Sequence, residues 1–190
     1  MKLLRFKAYP EMEFDSEGRC DVSTITSKAV DNDGDIVLPE GLDFTTFYEH
    51  GSPVNYQHSS LRVGRALWVK AKGEKLIAKT RYDNAPKDWS KEKPWVSDLV
   101  FEAVCKGVLG GKSITLLPEE ERKPTDAEAA AGAKRVVTKG TVMEFSVCKR
   151  PVNPDALVEE IRKSLDAITD GVEEPEDIVA SIGRAFEMLG

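Results

Sequence analysis

The chain has 190 residues, 41% hydrophobic and 32% charged, the make-up of an ordinary globular domain with some extra length. No apolar stretch approaches the ~20 residues of a membrane helix, and charge returns within Met1–Phe14 before any signal-type apolar segment forms. The reading is a cytoplasmic protein without a membrane partner. The net charge of -6 lies in the last part of the chain, where Leu157 to Gly190 hold nine acidic and three basic residues. The remaining body is neutral and has no basic stripe, which speaks against nucleic acid as a partner.

Short strands separated by turns are predicted first. LRFKAY and CDVSTITS flank an acidic turn containing Gly18, and PVNYQH, VGRALWVKA and KLIAKTRY follow, the last two joined by a Lys-Gly-Glu turn. DFTTFYEH suits a short helix with Asp43 as N-cap and His50 as a C-terminal cap or surface residue. In KPWVSDLVFEAVCKG the period changes. Val96, Leu99, Val100 and Ala103 recur at helical spacing, and Gly107 stands where a helix would stop.

GKSITLLPEE returns to alternation, with Ser113 and Thr115 on one face and Ile114 and Leu116 on the other. ERKPTDAEAAAGAK reads as a mobile loop with a helical turn, and RVVTKGTVMEFSVCKRPVNP as strand again. On that strand Glu144 shares a face with Val142 and Ser146, leaving Met143, Phe145 and Val147 as the apolar face. The tail carries two apolar stripes, Leu157–Ile161–Leu165–Ile168 and Ile178–Val179–Ile182–Phe186–Leu189, broken at Gly171 and Pro175. The predicted division is a β-rich body over 1–156 and an acidic amphipathic helical tail over 157–190.

Several motifs fail on inspection. GVLGGKS lacks the P-loop spacing, since position 106 is Lys rather than Gly, and it follows a helix and opens a strand. DNDGD, Asp31 to Asp35, places glycine fourth rather than sixth for a calcium loop, so an acidic turn is preferred over a weak cation site. GxSxG and HExxH are absent. Cys20, Cys105 and Cys148 form no CxxC, and with two histidines in the chain they read as buried free thiols. No metal or cofactor is expected.

His58 ends PVNYQH at a sheet rim, where an imidazole can serve as a base. Pattern alone favours the plainer reading, a half-buried histidine sharing a face with Val54 and Tyr56. Ser113 follows Gly110 and Gly111, which would let a substrate approach the backbone closely. Glu144 could orient a histidine or be solvated, and solvation is the default.

Four segments in order change these weights. AVDNDGDIVLPEGLDFTTF, PVNYQHSSLRVGRA, LVFEAVCKGVLGGKSITLLP and VMEFSVCKRPVNPDA resemble the capsid-maturation (prohead) serine proteases of tailed phages, a family related in fold to the herpesvirus assemblins. The resemblance runs from about Thr24 to Ala156 and leaves ERKPTDAEAAAGAK unmatched. It implies an α+β fold, a small mainly antiparallel β-barrel flanked by helices.

It also implies His58 as general base, Ser113 as nucleophile and Glu144 as third member. Arg65 is a candidate helper, with a surface role as the simpler reading. Thr115 and Leu116 depart from the glycine and aromatic residue that the family often has after Ser-Ile. The implied substrates are major capsid protein and scaffold inside the assembling prohead, in the host bacterial cytoplasm. A homodimer or higher oligomer is compatible with the resemblance, and self-cleavage of the tail would fit it. The rival expectation is a catalytically inactive capsid-assembly module that retains the fold.

Overall fold

The computed structural model describes residues 3–5, 13–15, 18–90 and 92–156. The expected helical tail over 157–190 lies outside the described residues. Ten strands form one sheet: β1 (Leu3–Arg5), β2 (Glu13–Asp15), β3 (Cys20–Ser27), β4 (Asp35–Val37), β5 (Leu42–Asp43), β6 (Pro53–Tyr56), β7 (Arg62–Lys72), β8 (Lys75–Tyr82), β9 (Gly111–Arg122) and β10 (Arg135–Cys148). Among the described residues three α-helices accompany them, α1 (Thr45–Glu49), α2 (Val96–Cys105) and α3 (Asp126–Ala130). Among the described residues no helix is long and apolar enough to cross a membrane.

The sheet runs β1-β2-β3-β8-β7-β6-β10-β4, with β5 and β9 also paired to β10. β10 organises the whole. One edge takes β9 antiparallel, and the other takes β4, β5 and β6 in turn, all parallel. The sheet is mainly antiparallel, as expected, with three parallel pairings, all to β10. The expected barrel is corrected in one respect: among the described residues no backbone pairing joins β3 to β9. The sheet curls instead until side chains bridge those two strands, Lys112 Nζ lying 2.9 Å from Asp21 Oδ2.

Local chemistry explains the elements. β7 and β8 are joined through Gly73 and Glu74, with Gly73 at φ +60°, a two-residue connection that leaves alternate residues of β8 buried. α2 buries Val96, Val100, Ala103 and Val104 on the core, and Gly107 beyond its end takes φ +74°. Phe47, Val54, Val63, Val142, Phe145 and Val147 fill the curl. α1 begins one residue later than expected. Phe44 is its N-cap, while Asp43 accepts the Thr45 amide at 2.9 Å from just outside the helix. His50 is the exposed C-cap, as read from the sequence.

One expectation is refined and another overturned. The connection with a helical turn read over 121–134 is present, but it starts two residues later, because β9 continues to Arg122 and β10 starts at Arg135. α3 sits between them, fixed by a capping box in which Thr125 and Glu128 each accept the other's backbone amide. Arg122 clamps the same Glu128 with two bonds of 2.7 Å.

The apolar face of β10 is also not the one alternation gives. A bulge between Val142 and Glu144 inserts Met143, so Val142 joins Phe145 and Val147 in the core.

Candidate active site

β9 and β10 set the site by register. Ser113 lies opposite Ser146, and Thr115 opposite Glu144. The Met143 bulge allows this, since it turns Glu144 and Ser146 away from the core while Phe145 and Val147 stay in it.

His58 arrives from β6. Past Tyr56 the chain turns through Gln57 (φ +49°) and His58 (φ +54°), two successive left-handed residues without glycine. Such residues cost on the order of 1–3 kcal/mol each and persist only where surroundings hold them. Here β10 holds both: the Gln57 amide donates to the Val147 carbonyl at 2.9 Å, and the His58 amide to Ser146 Oγ at 2.9 Å.

The imidazole is held as firmly. Nδ1 lies 2.8 Å from Glu144 Oε1 and 2.9 Å from Thr115 Oγ1. Thr115 donates its hydroxyl to the same Oε1, and Ser146 donates to Oε2 at 2.9 Å. An ionised carboxylate can only accept, so Nδ1 carries the proton and Nε2 of the neutral ring is the basic nitrogen. Among the described residues Nε2 makes no hydrogen bond. Burial pushes the Glu144 carboxyl up, but hydrogen bonds from His58, Thr115 and Ser146 together outweigh it and hold the group below the usual glutamate range.

Ser113 and His58 line one open cleft of about 380 Å³, together with Thr115, Leu116, Ile25, Val152 and the acidic turn at Asp31. Ser113 is 7% exposed and its hydroxyl has no partner among the described residues. The turn is built as expected, Asp31 Oδ1 accepting the amides of Asp33 and Asp35 at 2.9 and 2.8 Å. Among the described residues no group of three or more His, Cys, Asp or Glu side chains is placed to hold a metal ion.

Of the three expected residues, His58 and Ser113 are therefore brought to one cleft, while Glu144 does not line it and reaches it through the His58 ring. Arg65 is not with them; it is exposed on β7, opposite Pro53 and Arg81. Gly111 also serves a different purpose from the one expected. A Cβ there would meet Pro151 Cδ at 2.7 Å and the Cys148 carbonyl at 2.8 Å, so the protein itself occupies the space a side chain would need.

Sequence reasoning gave no role to Thr115 or Ser146. The signal was present, since Thr115 shares a face with Ser113, and Ser146 with Glu144.

No protein-family model matches this chain, and no curated protein does. Among solved structures, the crystal structure of KSHV protease in complex with a hexapeptide phosphonate inhibitor is similar, with 12% identity, 87% of each chain covered and a TM-score of 0.36. A likeness of that size carries no residue correspondence.

Proposed function

We propose that this chain is a serine endopeptidase that processes capsid and scaffold proteins during maturation of a phage or prophage prohead. The observation that carries the catalytic part is the imidazole of His58, fixed through Nδ1 by Glu144 in a cleft it shares with Ser113. The four segments that resemble prohead proteases support the substrate class, with capsid and scaffold protein met inside the assembling shell in the host cytoplasm.

In this reading Ser113 Oγ attacks the scissile carbonyl while its proton passes to His58 Nε2. Glu144 stabilises the imidazolium formed. The tetrahedral intermediate collapses to an acyl-enzyme as His58 returns the proton to the departing amine. Water, deprotonated by the same nitrogen, then releases the acid product and regenerates Ser113.

One observation favours the rival, a non-catalytic assembly module with the same fold: among the described residues no hydrogen bond joins Ser113 to His58. Catalytic hydrogen bonds that tighten only with substrate bound are nevertheless common.

Co-expression with the cognate capsid protein, wild type beside Ser113→Ala, separates the two readings by intact mass. Truncated capsid protein with the wild type alone is expected. Association without cleavage in either case would select the assembly module.

A further inference from the structure

The hydroxyl of Ser146 lies where the two supports of His58 meet. It has one proton to donate and lone pairs with which to accept. The proton goes to Glu144 Oε2 at 2.9 Å, and the acceptor side takes the His58 amide at 2.9 Å. One side chain thus holds the backbone of the left-handed turn and the carboxylate that orients the ring. Ser146 is fully buried, so water has no route to replace it. It also stands opposite Ser113 in the β9–β10 register, which ties this support to the strand that bears the serine.

We infer that Ser146 is a positioning residue for the reaction. Its hydroxyl couples the conformation of the His58 turn to the orientation of Glu144, so that ring and backbone are set together. This rests on the proposed roles of His58 and Ser113. Without the hydroxyl, a part-buried amide and a part-buried carboxylate oxygen would both lose their partner, and the turn would relax away from a geometry that β10 maintains. Thr115 cannot compensate, because its hydroxyl is already given to the other oxygen, Oε1.

The test uses the full chain and two readouts. The first is the rate of labelling by a fluorophosphonate, which reports Ser113 acylation without knowledge of the substrate. The second is the ¹⁵N spectrum of the imidazoles, which reports the ring tautomer. The chain has two histidines, and exposed His50 on α1 is an internal control.

Ser146→Ala is expected to slow labelling about tenfold, the scale of loss that goes with removing hydrogen bonds to part-buried groups. It should also shift the His58 ring signals while those of His50 stay in place. Labelling at the wild-type rate, or slowed labelling with unmoved His58 signals, would overturn the inference, the latter because it marks a general structural loss. If the alanine variant does not fold, Ser146→Cys keeps the volume, weakens both hydrogen bonds and is read by the same two criteria. Failure of wild type to label would sink the nucleophile reading instead, and the ring signals would still decide the role of Ser146.

Discussion

Two polar clusters hang on opposite faces of β9, one at Lys112 and one at Thr115. Lys112 points into the curl, where its ammonium meets Asp21 at 2.9 Å, Tyr82 at 3.2 Å and Thr80 at 3.3 Å. Asp21 is in turn bonded to Tyr82 and Ser23, and both charged side chains are sealed, at 1% and 0% exposure. The rim cluster around His58 is also dense in hydrogen bonds, yet its imidazole is 39% exposed and keeps a basic nitrogen without a partner.

The inner network is closed and charge-balanced, so it can bridge strands but has nothing left to react with. In the outer one, among the described residues, His58 Nε2 and the Ser113 hydroxyl are left without a partner, on residues that both line the cleft. In the proposed reading, reactivity belongs to the network that keeps unfilled positions rather than to the one with more charge.

The sharpest way to break this contrast is Glu144→Gln. The amide can present its N–H to His58 and favour the wrong tautomer. Fluorophosphonate labelling should fall about 10⁴-fold, as when the carboxylate of a serine-protease triad is replaced by its amide. The denaturation midpoint should move little. Retained labelling would mean that the rim cluster is structural after all.

Next in size is Lys112→Met. Removing one partner of a sealed ion pair is expected to cost about 3–5 kcal/mol, read from urea unfolding, because Asp21 is left charged and alone. Adding Asp21→Asn should return part of that loss. A single variant as stable as wild type would dissolve the distinction between the clusters.

The smallest effect is on pH. The Glu144 carboxyl is held below its ordinary value, so its contribution to stability is fully present above about pH 4.3 and disappears as pH falls through the lowered value. Unfolding curves of wild type and Glu144→Gln should converge on acidification. Parallel curves down to acid would show that the hydrogen bonds to Glu144 contribute nothing.

Much of this was legible in the sequence because it depends on neighbours. β3 matches CDVSTITS residue for residue, and the period change into α2 with its stop at Gly107 depends on nearby spacing alone. The alternation that puts Ser113 with Thr115 is equally local.

What escaped depends on distant partners. A lysine reads as surface until Asp21, 91 positions away, supplies its counter-charge. The Met143 bulge is where β9 and β10 shift register, and the one inserted residue puts Val142 rather than Met143 in the core. β4 and β5, at three and two residues, carry too little pattern to announce parallel pairing with a strand a hundred positions later. The Thr125-x-x-Glu128 box was a readable signal that the polar, alanine-rich composition of its segment obscured.

The turn that carries His58 is bonded to Ser146 and Val147, 88 and 90 residues further along. On the ribosome, residues 57 and 58 emerge long before their supports. At ~5–20 residues per second those supports follow several seconds later. A nascent chain that already displays both histidine and serine therefore still lacks the β10 groups that hold the His58 turn and ring. The strand β10 completes the cluster, and a chain truncated before residue 146 would lack the support of this turn whatever else it had folded.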